Sequence, residues 1–220
     1  MQGWLNFLKP KEYDSQDASQ KMLLACREGN YEAVISLIDE AKKADAKRKD
    51  PSPLSFVVNL VNQNLPILKA AEKGRFDIVF LLIQNNANTN EQEPISGDTV
   101  LMYFVRAACK NREDKHYNYI NKLDELFDEA KKHQQPINPN LANFEGLTPL
   151  MLANLKQHVD LAGKLFELGA KHTAENRAKL AKMAEITAVG NGASSNLQAV
   201  RPLSGGGEAH SGGYQPPAFS

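Results

Sequence analysis

Residues 65–90, LPILKAAEKGRFDIVFLLIQNNANTN, carry two apolar bursts split by Lys73-Gly74-Arg75, and then a polar run of Asn and Thr. Ile67, Leu68, Ala70 and Ala71 fall on one stripe of a short helix. Pro66 suits its first turn, where a missing N–H costs nothing. Gly74 ends that helix, because glycine takes a left-handed cap without strain. Phe76, Ile78, Val79, Leu81, Leu82 and Ile83 then predict a second helix with a wide apolar face, and Asn85-Asn86 lies just past its end. Neither helix is long enough to be stable alone in water. The pair carries more apolar surface than it can hide by itself, so the pattern predicts stacking on similar pairs.

The chain supplies such pairs. Residues 23–41, LLACREGNYEAVISLIDEA, keep the same order: Ala25, Gly29, then Val34, Ile35, Leu37 and Ile38. Residues 146–172 repeat it, with Thr148 as N-cap and Pro149 as the first helical residue. Residues 97–110 open a further unit with Thr99 in the cap position. In Thr148-Pro149-Leu150, Ala70-Ala71-x-x-Gly74, Asp77-Ile78-Val79-x-Leu81-Leu82 and Leu168-Gly169-Ala170 the chain resembles the ankyrin repeat family, over residues 18–172. The resemblance implies an all-α helical solenoid of about four irregular repeats with helical insertions. The units fall at about 18–50, 64–96, 97–140 and 141–172.

Three departures stand out. The family's histidine after Thr-Pro-Leu, which knits neighbouring hairpins together, is replaced here by Leu68, Met102 and Met151. Gln157 stands where the last unit should have a glycine. The leading apolar positions Met22, Ile67, Leu101 and Leu150 are irregularly spaced, against a family period of about 33 residues, so two units carry insertions. The first insertion leaves two readings open. Residues 53–63 form an extra helix before the second unit, or they are that unit's own first helix with 65–73 inserted; the unbroken fit of 65–90 favours the former. The second insertion, 111–133, predicts a lengthened second helix with Ile120, Leu123, Leu126, Phe127 and Ala130 at helical spacing.

The ends differ in kind. Residues 1–17 contain a short apolar run with Trp4, Leu5, Phe7 and Leu8, too short for a secretory signal, and predict a short helix covering the first repeat. Residues 173–188 predict a capping helix with Leu180, Met183 and Ile186 on one side, as the open end of a solenoid requires. Residues 189–220 are rich in Gly, Ser and Pro, hold half of the 14 glycines, and predict a disordered tail. Lys and Arg total 26, as do Asp and Glu, so the formal charge is zero. General nucleic-acid binding needs a positive excess that the chain lacks, and no stretch approaches the roughly 20 apolar residues of a membrane span. Cys26 and Cys109 read as small core residues, which points to a reducing, cytoplasmic setting.

No metal-ligand spacing joins the five histidines to Cys or carboxylates, and neither a phosphate loop nor a nucleophile elbow is present. The chain thus reads as a non-enzymatic monomer without a cofactor. The family resemblance implies a protein partner on the concave face. On that mapping the first helices present Arg27 and Glu28, then Lys69, Glu72 and Lys73, then Tyr103 and Arg106, and finally Leu155 and Lys156. The hairpin tips present Glu91, Gln92, Glu93 and Ser96, and then Asn143, Phe144 and Glu145. Two other readings stay open: a structural scaffold without a dedicated groove, and a secreted bacterial effector delivered into a host cell.

Overall fold

The computed structural model of the chain describes residues 15–46, 65–111 and 118–190. Among them lie nine helices and no strand: α1 (Ser15–Glu28), α2 (Tyr31–Asp45), α3 (Pro66–Glu72), α4 (Phe76–Gln84), α5 (Val100–Lys110), α6 (Tyr119–Lys132), α7 (Pro149–Leu155), α8 (Val159–Glu167) and α9 (Ala174–Gly190). Residues 1–14 of the N-terminal segment, the helix expected near 53–63, residues 112–117 of the second insertion and the tail from 191 onward lie outside the described residues.

The helices form two rows. An inner row stacks α1, α3, α5, α7 and α9 in that order, and an outer row stacks α2, α4, α6 and α8. Each unit places one helix in each row. Short inner helices stack tightly because they are apolar on almost every side: Ile67, Leu68, Ala70 and Ala71 are buried in α3, and Leu150, Met151, Leu152 and Ala153 in α7. The replacements for the family's histidine, Leu68, Met102 and Met151, are all part of this core. Thr99 and Thr148 cap α5 and α7 by accepting from the N–H groups of Met102 and Met151 at 3.4 and 3.3 Å. Phe104 ties the second unit to the third, its ring 4.8 Å from Phe76 and 5.8 Å from Tyr119. Cys26 is buried, and burial pushes its thiol up to about 12, as suits a packing residue rather than a nucleophile.

One device ends six helices. After α1, α3, α4, α6, α7 and α8 the chain closes a Schellman-type turn around a residue with positive φ, and these residues are Gly29, Gly74, Asn86, Gln134, Gln157 and Gly169. At Gln134 the N–H donates to the Lys131 carbonyl at 3.1 Å and the next N–H donates to the Ala130 carbonyl at 2.8 Å. Gln157 therefore keeps the geometry of the glycine it replaces, with φ of 55°.

The asparagine run finds its explanation between units. The Asn90 amide donates to the Pro136 carbonyl at 2.8 Å and accepts from the Asn138 N–H at 2.7 Å. Fifty residues on, Asn140 repeats the pattern with the Gly169 carbonyl at 3.0 Å and the Lys171 N–H at 2.8 Å. Each side chain stands in for a peptide unit and joins its connector to the next one, satisfying backbone groups where no helix can.

The second insertion makes α6 fourteen residues long, against nine in α4 and α8. Its Leu123, Leu126 and Ala130 are buried, and Ile120 and Phe127 are half-buried. The last inner helix, α9, packs on α7 with Leu180 and Met183 against the core. The side chain expected of Ile186 lies outside the described residues.

Candidate functional site

Two hairpin tips precede the inner helices α5 and α7. The first, residues 91–98, is tied by its own acid: the Glu93 carboxylate accepts from the N–H groups of Ile95 and Ser96 at 2.9 and 2.6 Å. The Gly97 N–H closes the turn onto the Glu93 carbonyl at 2.7 Å, with φ of 74° at Gly97. Those N–H groups, Ser96 first, hold the Glu93 carboxyl below the usual carboxylate range. In the second tip Asn143 does the same work, its side-chain oxygen accepting from the Leu147 N–H at 2.9 Å.

The tips are joined. The Phe144 N–H donates to the Ser96 carbonyl at 2.9 Å, and the Gln92 amide donates to the carbonyls of Gly97 and Ala142. Beneath them lies Asp98, only 5% exposed. It accepts from Arg106 Nη2 at 2.9 and 3.3 Å and from the Asn143 amide at 2.8 Å. Asn143, expected at an exposed tip, is thus buried, because its amide bridges Asp98 and the second hairpin.

Tyr103 stands half-buried on α5, one turn before Arg106. Burial pushes its hydroxyl up, and the carboxylates of Glu93 and Asp98 push it further; a hydrogen bond with Ser96 acts the other way. On α3, Glu72 holds Lys69 at 3.0 Å and Lys73 at 2.9 Å, and these two hydrogen bonds, Lys73 first, keep its carboxyl low. Lys69 also acts on Glu93, and Glu72 on Tyr103. Lys69, Glu72, Glu93, Tyr103 and Arg106 therefore interact across α3, α5 and the tip at 91–98, while Lys73, at the far end of α3, joins them only through Glu72.

The other expected residues lie apart from that group. Arg27 and Glu28 are in the last turn of α1 and Lys156 caps the end of α7, away from the tips that adjoin the helix N-termini. Leu155 is half-buried and packs against the core. Glu91 accepts from the Asn88 amide at 2.8 Å within its own loop. Three contributors escaped the sequence reading. Arg75 lies against Gly29 and donates to the Glu28 carbonyl at 3.5 Å. Asp98 forms the buried hub, and Ile95 is 87% exposed at the tip. A polar residue ahead of a cap gives no sign of burial, and a lone isoleucine in a turn gives no periodic signal.

On the outer row, an open polar cleft of about 450 Å³ is lined by Asn86, Lys132, His133, Gln134 and Gln135. Among the described residues no cluster of His, Cys, Asp or Glu has the makings of a metal site, and no helix is long and apolar enough to cross a membrane.

Compared with curated proteins, the sequence has no significant match. Compared with family models, residues 67–176, half of the chain, match ankyrin repeats in three copies. Domains built from such repeats generally serve as protein–protein interaction modules. With the two-row stack of helix pairs, the projecting tips and this match, the chain belongs to the ankyrin repeat family.

Proposed function

We propose that the chain is a non-catalytic module that seats a protein partner against the inner helices and the hairpin tips. The observation that carries this reading is the setting of Tyr103. It is a half-buried aromatic residue at the centre of the inner row, acted on by the carboxylates of Glu93, Asp98 and Glu72, with Arg106 one turn on and paired with Asp98. Aromatic and arginine side chains at the centre of a surface, with polar groups around them, are what anchors of interfaces usually look like. Arg27 and Glu28 at the end of α1, and Leu155 and Lys156 at the end of α7, flank this centre on its two sides and would contribute at the rim.

Arg106 holds the buried Asp98, so Arg106→Ala removes structure together with any contact. Tyr103→Ala is the cleaner probe. The full chain and this variant are compared in affinity capture, with the retained partner then titrated against both. The variant should keep its helicity and lose about tenfold or more in affinity. Unchanged affinity at unchanged helicity would put recognition elsewhere.

A further inference from the structure

Ile95 and Phe144 are 87% and 65% exposed and belong to different repeats. Singly scattered apolar side chains on a surface need no explanation. Leu24 on α1 and Tyr31 on α2 are of that kind, and Val159 and Phe166 stand two turns apart on α8, where the Phe166 ring packs against His172. Ile95 and Phe144 are not scattered. The Phe144 N–H is bonded to the carbonyl of Ser96, the residue after Ile95, and the Phe144 ring lies directly over Gly97, where a Cβ would meet it at 2.7 Å. Glycine at 97 is thus what lets the ring settle across the neighbouring tip. The backbone beneath both side chains is fixed by the Glu93 carboxylate, the Gln92 amide and the buried Asp98–Asn143 bridge. Two apolar side chains held on a fixed backbone lose little freedom when a partner covers them.

The rim is acidic. Glu93, whose carboxylate accepts from the Ile95 N–H, and Glu145, next to Phe144, adjoin the pair, and neither forms a salt bridge among the described residues. Glu93 is kept ionised by the N–H groups it accepts. Lys179 reaches this edge as well, but it donates to the Glu145 carbonyl, not to a carboxylate.

We infer that the paired tips form an acid-rimmed apolar platform, built on Ile95 and Phe144, that takes a peptide segment with an aliphatic or aromatic anchor flanked by lysine or arginine. The inference rests on the protein-binding reading above and names the chemistry of the partner and its anchoring point. Apolar contact supplies affinity, and the rim selects for positive flanks and speeds encounter.

The test is selection of short random peptides, displayed on phage, on the immobilised full chain. The best peptide is then titrated against the wild type, Ile95→Ser/Phe144→Ser, Ile95→Ser alone, Tyr103→Ala and the control Val159→Ser. Thermal melts establish that each variant is folded; Ile95→Ser covers the case in which the double variant is not. The platform predicts enriched peptides that pair a large apolar residue with Lys or Arg. It predicts a Kd weakened about thirtyfold by the double change, several-fold by Ile95→Ser, and not at all by Val159→Ser. Affinity should also fall on raising the salt. Acidic peptides, no shared motif, or a Kd indifferent to both tip variants overturns it. A peptide lost in Tyr103→Ala but indifferent to the tip would leave the inner-row reading standing and remove the platform. The converse result would keep the platform and remove the inner-row anchor.

Discussion

Replacing Gln134 by glycine should stabilise the protein, against the usual direction of point substitutions. Gln134 has φ of 58° in the Schellman motif that ends α6, and the equivalent residue after α8 is Gly169 with φ of 94°. A side chain with a Cβ in the left-handed region costs about 1–2 kcal/mol. Glycine removes that cost but has more freedom to lose on folding, which takes back about 0.5–1 kcal/mol. The motif's own bonds, from Gln134 and Gln135 to Lys131 and Ala130, are between backbone groups and survive the change. The net gain should be about 0.5–1 kcal/mol, or roughly 1–4 °C in Tm for a chain of this size. Urea unfolding followed by circular dichroism, with the slope checked for constancy, measures it. Gly169→Ala is the mirror experiment and should cost about 1 kcal/mol. Loss of stability in Gln134→Gly would show that the backbone there is not left-handed and that the shared cap is misread.

Val79→Ala and Leu82→Ala, both fully buried, should each cost about 2–4 kcal/mol in the same assay, and Leu152→Ala should behave likewise because it too is buried in the inner row. Stability should also fall on mild acidification through His172. Burial, and then Arg177, holds this imidazole below its usual value, while its Nε2 lies 2.9 Å from the Asn154 amide. Unfolding frees the ring to bind a proton, so its contribution is complete above the ordinary imidazole value and is lost as pH falls towards the depressed one. His172→Gln should flatten that part of the profile of urea midpoint against pH.

The fold was legible where periodicity and turn chemistry agreed. Apolar bursts broken by Gly74, and Thr148-Pro149 opening a unit, mark helix pairs, because a stripe of apolar side chains and a strained cap each leave a local trace. Gln134 and Gln157 blurred that trace, since the repeat imposes its left-handed cap on residues that do not ask for one. The asparagine run signalled a polar connector, but not that Asn90 and Asn140 replace peptide groups between units, which depends on residues some thirty to fifty positions away. The proposed site was legible in part. Tyr103, Lys69, Glu72 and Glu93 follow from position on an inner helix or tip. Asp98 and Asn143 could not be placed, because their burial arises only when the two tips meet. Ile95 was missed for a related reason: its meaning comes from Phe144 beside it, far away in sequence.

Hydrogen exchange on the full chain, free and bound to the protein it captures, tests the central claim most directly. Exchange reports which amides a partner covers or steadies. The account predicts slowed exchange in α3, in α5 and in the tips at 91–98 and 143–147, with α4, α6 and α8 unchanged. Protection confined to the outer row, with the tips and α5 exchanging as in the free chain, would contradict it.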